Sequence, residues 1–295
     1  MNTCVLIGPL NSREEALLFL LAVLFVLALS FKSTRSSIFD FVIFLFNKKN
    51  RKILAVLLAV ILYVELVVLL LCEIQFWDVF LVKDTIFWFV GVALILLFNI
   101  IKATENEEHY FKNILLETLA FVGVLEFVVS IYTFNFWIEI FLILVVSILV
   151  LTYAVAKTKE EYAPVGKVIE FLLAAFILFF IGYALFKTFA DYQKLLTLDN
   201  LRAFFLPIIL TFAYLPFLYF FALYMVYDTL FTRLNLFSNK DKGLVRLARR
   251  KILILCHINL KKLNRFAKEN TQELIRLDNR NDVLRMVDEF KKKGS

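Results

Sequence analysis

Residues 53–71 read ILAVLLAVILYVELVVLLL, a run whose only charged side chain is Glu65. An α-helix rises about 1.5 Å per residue, so crossing the ~30 Å hydrocarbon core of a bilayer takes roughly 20 mainly apolar residues. The run has this length and composition. It therefore predicts a transmembrane α-helix.

Similar apolar runs recur on both sides of this one. Hydrophobic residues make up 61% of the 295 positions and charged residues 20%, which is more apolar than a soluble domain. Seven Gly and four Pro leave little turn chemistry for an all-β fold. We therefore predict an all-α, polytopic membrane protein with about seven transmembrane helices. The predicted spans are residues 15–31, 53–74, 85–101, 113–133, 136–156, 166–189 and 204–230.

One apolar stretch does not fit this series. Residues 37–46 read SIFDFVIFLF, and ten residues cannot cross a bilayer as a helix. Asp40 interrupts the stretch, and a basic segment follows it. We expect an interfacial helix or a shallow re-entrant segment here.

The distribution of basic residues predicts the orientation, because Lys and Arg are retained on the cytoplasmic side. With the N-terminus outside, 28 of the 33 Lys and Arg residues fall in cytoplasmic segments. An eighth span at 37–46 would break this alternation. The protein is therefore predicted in the plasma membrane, with its N-terminus outside and its C-terminus in the cytoplasm.

The chain changes character after the last span. Residues 1–232 form the predicted membrane domain, whereas residues 233–295 contain 17 basic and 7 acidic side chains. Apolar side chains at helical spacing predict one long amphipathic helix in this tail, and Asn281 is expected to cap a last helix over 282–292. The spaced apolar residues are Leu244, Leu247, Ile254, Leu255, Ile258 and Leu263. We expect a small, basic, helical cytosolic domain.

Sequence motifs for catalysis are absent. The chain contains no HExxH, Walker A, GxSxG or GxGD motif, and its two histidines and three cysteines have no metal-site spacing. We therefore predict no catalytic residue, no metal and no cofactor, and we do not expect an enzyme.

Ionisable groups inside the predicted spans are the first candidate site. Glu65 lies near the middle of the second span and Glu126 well inside the fourth, where a charge costs a few kcal/mol. Either both line a water-filled path that favours cations, or both are protonated and bonded to neighbouring helices. Asn99 could join that path or bond between helices. Glu139 lies near a span end and is interpreted as interfacial.

The last predicted span contains a second candidate. Pro216 lies in mid-helix, where it removes a backbone hydrogen bond, so a kink is expected there. Tyr219 follows one turn later. Because this span leads into the basic domain, Pro216 and Tyr219 are candidate gate residues. A static bend packed with aromatic side chains is the alternative.

The basic tail is the third candidate. Two groups of cations lie at helical spacing, and they could bind anionic lipid headgroups or an anionic ligand such as a nucleotide or short oligonucleotide. The two groups are Arg246, Arg249, Arg250 and Lys261, Lys262, Arg265.

The stretches KDTIFWFVGVALILLFN (83–99) and ILLETLAFVGVLEFVVSIYTF (114–134), with a basic domain after the last span, carry a resemblance. The chain resembles membrane effectors of bacterial anti-phage systems, and is most similar to the effector of Hailong-type systems. The resemblance implies a homo-oligomeric, tetrameric channel in the bacterial inner membrane. It also implies an oligodeoxyadenylate ligand made by a partner nucleotidyltransferase.

Three hypotheses of function follow. The first is a gated, cation-preferring channel that depolarises the host membrane and is regulated through its basic domain. The second is a secondary transporter, although the two halves of the sequence show no clear repeat. The third is a membrane-embedded enzyme or assembly factor without a recognisable motif.

Overall fold

A computed structural model describes residues 10–47, 50–105, 133–190, 197–236, 242–275 and 279–293. Every regular element in these ranges is helical. The described residues form two compact units. One combines residues 10–86 with 133–209, and the other combines 87–105 with 210–293. The predicted domain boundary at 232/233 lies inside the second unit and stays a prediction.

The chain enters its first helix through a capping box. Asn11 Oδ1 accepts a hydrogen bond from the Glu14 N–H (2.9 Å), and the Glu14 carboxylate accepts one from the Asn11 N–H (2.8 Å). Helix α1 is Ser12–Ser30. Helix α2, Lys32–Phe46, follows after one residue and is bent by 101° from α1. No side chain of α2 is buried within the protomer. This geometry suits the interfacial or re-entrant segment expected at 37–46.

The most hydrophobic run in the sequence forms helix α3, Arg51–Glu73. A short 3₁₀ turn at Val79–Leu81 then leads into α4, Val82–Trp88. One π-helical turn at Phe89–Ala93 joins α4 to α5, Leu94–Glu105. Such turns insert an extra residue into a helix and often lie at functional sites.

Three longer helices follow residues 106–132, which the structure does not describe. Helix α6 is Phe136–Ala156 and α7 is Ala163–Ala190. Helix α8, Leu198–Leu236, has 39 residues and continues through Pro207 and Pro216. At about 1.5 Å per residue α8 is roughly 58 Å long, almost twice the thickness of bilayer hydrocarbon.

Five helical segments among the described residues are long and apolar enough to cross a membrane, or six if the bent pair α1 and α2 counts as one span. In the most apolar part of each of the five, at most 28% of the residues are buried inside the protomer. An apolar helix with this exposure requires an apolar surrounding. The predicted fourth span, 113–133, lies outside the described residues. The count of seven spans and their orientation therefore stay predictions.

The basic tail differs from its prediction in the number of its helices. Instead of one long amphipathic helix there are two, α9 at Lys242–Cys256 and α10 at Leu260–Ile275. His257 ends α9 in a left-handed conformation (φ 46°), and Asn259 begins α10 by accepting a hydrogen bond from the Lys262 N–H (2.8 Å). This break leaves Ile254 and Ile258 exposed, although their spacing predicted a buried face.

The last helix, α11, is Arg280–Lys293. Its cap is Asn279 and not Asn281 as predicted, because Asn279 Oδ1 accepts from the Asp282 N–H (3.0 Å) while Asp282 accepts from the Asn279 N–H (3.2 Å). Helices α9 to α11 form a three-helix bundle with an apolar core. The buried core side chains are Leu244, Ala248, Ile252, Leu255, Cys256, Leu260, Leu263, Phe266, Val283, Met286, Val287 and Phe290.

Candidate functional site

Two tyrosines of α8 hold the turn between α9 and α10. The Tyr227 hydroxyl donates a hydrogen bond to the His257 carbonyl (2.7 Å), and the Tyr219 hydroxyl donates to the Ile258 carbonyl (2.7 Å). The Tyr219 oxygen also accepts from the Leu260 N–H (3.3 Å). We call these contacts the tyrosine latch. Its two side chains start two helical turns apart and converge on consecutive carbonyls, so the turn is fixed relative to α8.

The turn that the latch contacts has a constrained backbone conformation. A non-glycine residue in the left-handed region costs on the order of 1 kcal/mol, and His257 has this conformation. The His257 N–H still donates to the Leu253 carbonyl (2.8 Å), and the Asn259 N–H donates to the Cys256 carbonyl (3.0 Å). Hydrogen bonds from both sides therefore hold the turn in one shape.

A cleft of about 260 Å³ lies over the same turn. Three lysines and His257 surround an apolar floor, and no acidic residue lines the cleft. Its lining residues are Lys251, Ile254, Leu255, His257, Lys262, Val287 and Lys291. At the rim, Lys291 Nζ lies 3.8 Å from the Asp288 carboxylate, and both side chains of that pair are exposed. We call this feature the lysine cleft. It has the chemistry of a site for an anion with an apolar part.

The six predicted anion-binding residues lie in different environments in the structure. Lys262 lines the lysine cleft. The guanidinium groups of two others lie over aromatic rings, Arg249 at 5.2 Å from the Phe231 centroid and Arg265 at 4.7 Å from the Phe290 centroid. Arg265 also approaches Glu269 (3.8 Å). The remaining three, Arg246, Arg250 and Lys261, are exposed and do not line the cleft.

Spacing along a single helix could not identify the other cleft cations. Lys251 lies on α9, His257 in the turn and Lys291 on α11. Only the break at 257–259 and the packing of α11 bring them together. A sequence signal existed for the break alone, because asparagine is a strong helix N-cap.

The predicted pore and gate residues have separate positions. Glu65 is exposed on α3, and exposed apolar side chains surround it at Ile61, Leu62 and Leu69. Asn99 is half-buried on α5, and Glu126 lies outside the described residues. Pro216 is exposed on α8. Tyr219 is part of the tyrosine latch, a role that the sequence alone did not indicate.

A cluster of ion pairs was also missed by sequence reasoning. Glu139, predicted to be interfacial, is only 1% exposed. Its carboxylate accepts two hydrogen bonds from the Arg13 guanidinium (2.9 and 3.0 Å) and one from the Phe134 N–H (2.7 Å). Glu14, the residue after Arg13, forms an ion pair with Lys83 (3.0 Å).

A third ion pair joins the ends of α3 and α8. The Arg202 guanidinium lies 3.5 Å from the Asp78 carboxylate and donates to the Gln75 carbonyl (3.1 Å). All the helix ends in these three pairs were predicted on the outer side. The contacts neutralise Arg13, Lys83 and Arg202, three of the few basic residues predicted there, and the alternation of the spans stays a prediction.

In the part of the chain that the structure describes, no three His, Cys, Asp or Glu side chains come together as a metal site. Comparison with known proteins adds no family: no family model, no curated protein and no solved structure matches the chain.

Proposed function

We propose that this chain is one subunit of a homo-oligomeric, gated membrane channel that prefers cations. Glu65 lines a water-filled path between subunits. The C-terminal bundle controls the path through the tyrosine latch and α8.

The exposure of Glu65 is the observation that supports conduction best. The residue lies near the middle of a 23-residue helix whose most apolar 18-residue window has a mean hydropathy of 3.1, and its side chain is exposed. A carboxylate exposed to hydrocarbon costs a few kcal/mol, so it requires water or a polar partner. Several copies around an axis supply both, and a ring of carboxylates at the pore selects cations.

The latch supports a gate at the end of α8. Any rearrangement of the turn at 257–259 must break or move the hydrogen bonds to Tyr219 and Tyr227. Because these residues belong to a helix that continues into a candidate span, binding to the bundle can shift that span. Pro216 lies one turn before Tyr219 and is the proposed point of bending.

The biological setting of the proposal comes from the resemblance to Hailong-type effectors. It comprises a tetramer in the bacterial inner membrane, an anionic oligonucleotide as regulator and a partner nucleotidyltransferase that makes it. Released channels would depolarise the membrane of an infected cell.

Single-channel recording tests the proposal directly. Purified protein in planar bilayers is expected to give discrete currents whose reversal potential under a salt gradient indicates cation preference. Glu65→Gln should remove most of this preference. Glu73→Gln is the matched control, because Glu73 is exposed at the end of the same helix. Its effect on selectivity should be small.

Two results would overturn the proposal. Saturable flux of a solute without single-channel currents would indicate a secondary transporter. Unchanged conductance and selectivity in Glu65→Gln would exclude Glu65 from the path.

A further inference from the structure

The corner of the bundle around the lysine cleft combines positive charge with exposed apolar side chains. Ile254 is 53% exposed and lines the cleft, and Ile258, in the adjoining turn, is 67% exposed. Leu253 is also exposed. In a small soluble bundle these side chains would favour the core, because burial removes their apolar surface from water. Their common position beside Lys251 and Lys262 suggests a ligand that is both apolar and anionic.

The length of α8 gives this corner a place relative to a membrane. Helix α8 has 39 residues, and only about half of that length is needed to cross bilayer hydrocarbon. Contacts between α8 and the turn at 257–259 begin at Tyr219. A crossing by the first ~20 residues of α8 would place Tyr219, and Ile258 bonded to it, at the end of the hydrocarbon. The predicted span at 204–230 stays a prediction.

We propose that the lysine cleft and its exposed isoleucines are a docking surface for anionic phospholipid headgroups of the inner leaflet. Lys251, Lys262 and Lys291 contact the headgroup phosphate, and the acyl region covers Ile254 and Ile258. Charge complementarity favours this occupant, since the cleft has three lysines and no acidic lining residue. The apolar floor favours a lipid over a soluble phosphate, which would leave Ile254 and Ile258 in water.

Docking at this corner does not depend on ion conduction. It would anchor the bundle beside the membrane and hold the turn that the tyrosine latch also contacts. His257 belongs to both the tyrosine latch and the lysine cleft. Its carbonyl accepts a hydrogen bond from the Tyr227 hydroxyl, and the residue lines the cleft. Lipid composition would then act on the same turn as a regulator of the channel.

Lipid titration of the full-length protein tests the docking surface. The probes are dihexanoyl phosphatidylglycerol, dihexanoyl phosphatidylcholine and inorganic pyrophosphate, added to protein in neutral detergent and measured by native mass spectrometry. We expect phosphatidylglycerol to bind at least tenfold more tightly than phosphatidylcholine or pyrophosphate. The variant K251Q/K262Q/K291Q should weaken that binding on the order of 100-fold, since each lysine near anionic lipid contributes about 1 kcal/mol.

A second triple variant is the matched control. K261Q/K268Q/K292Q removes the same charge from exposed positions of α10 and α11 that do not line the cleft. It should change phosphatidylglycerol binding less than threefold. An equal loss in both triples would indicate diffuse charge attraction and overturn the site.

The isoleucines separate lipid from soluble phosphate. I254S/I258S should weaken phosphatidylglycerol binding severalfold and leave pyrophosphate binding unchanged. If pyrophosphate binds as tightly as phosphatidylglycerol, or if I254S/I258S has no effect, the occupant is a soluble anion and lipid docking is wrong. Single-channel currents are recorded separately, so a failure of docking and a failure of conduction give different results.

Discussion

Phe171 in α7 and Phe266 in α10 are the same residue type on two helices, yet Phe171 is 73% exposed and Phe266 is fully buried. Helix α7 is apolar on all sides, whereas α10 has one apolar stripe that packs against α9 and α11. The contrast predicts a different solvent for each region. An exposed phenylalanine is tolerated where the surroundings are lipid, and a buried one stabilises a fold that has water around it.

Truncation of these two phenylalanines should give the largest contrast. Phe266→Ala leaves a cavity beside Phe290, whose ring meets Phe266 edge to face at 5.1 Å, and should cost about 3–5 kcal/mol. Phe171→Ala should change stability by less than about 0.5 kcal/mol, since it removes no packing within the protomer. Thermal unfolding of both variants in detergent measures the difference. Equal losses would mean that α7 is packed against another subunit.

The ion pair of Arg13 and Glu139 is the opposite case. It is a buried polar contact in a region whose apolar side chains are exposed. Glu139→Gln leaves the Arg13 guanidinium without its charged partner and should cost about 2–3 kcal/mol, somewhat less than a fully buried pair because Arg13 is partly exposed. Glu15→Gln, an exposed neighbour of Arg13 on α1, is the control. The double variant Arg13→Met/Glu139→Met should recover part of the loss. Melting temperatures of the four proteins test this, and a stable Glu139→Gln would contradict it.

The tyrosine latch connects the two kinds of region, and its loss should have a smaller effect. Tyr219→Phe removes two hydrogen bonds and Tyr227→Phe one, which should cost about 1–2 and about 1 kcal/mol respectively. Tyr224→Phe, exposed on the same helix, should be neutral. Hydrogen exchange of the amides at 257–260 reports the opening of the turn. Faster exchange in Tyr224→Phe than in Tyr219→Phe would disprove the latch.

The smallest effect concerns Cys256 in the bundle core. Burial raises the pKa of this thiol from 9.0 to about 11. The folded bundle therefore holds the proton more tightly than the unfolded chain. Stability is unaffected below pH 9 and falls between pH 9 and pH 11, as the unfolded thiol ionises first.

Thiol labelling at low protein concentration tests the same shift. In a Cys4→Ser/Cys72→Ser background, Cys256 should react on the order of 100-fold more slowly at pH 8 than a free thiol, because the thiolate fraction is lower and the residue is buried. Addition of a denaturant should remove the difference. Rapid labelling of the native protein would show that the bundle is open in solution.

The apolar helices could be predicted from the sequence because hydropathy and length decide them. The stretch 53–71 falls within α3, and the runs at 136–156 and 166–189 fall within α6 and α7. Length alone does not decide which part of α8 would cross a membrane, since its apolar run is longer than one crossing needs. The seven-span count and the orientation remain predictions.

Residues that depend on distant contacts could not be found in the same way. Arg13 and Glu139 are 126 positions apart, and no local pattern links them. The lysine cleft forms only because the helix breaks at 257–259. The sequence did not predict that break, because Leu255 and Leu263 fit the spacing of a single helix. The lysine cleft lies in the segment that contains the six predicted anion-binding residues, but only Lys262 among them lines it.

The pair of Arg13 and Glu139 also sets an order of events during synthesis. Arg13 leaves the ribosome 126 residues before its partner, together with the first helix. Until α6 has been made, nothing in the chain can supply the carboxylate that this guanidinium receives in the folded protein. The first helix is therefore synthesised well before the contact that holds its start in the folded protein, and that contact can form only when the middle of the chain has been made.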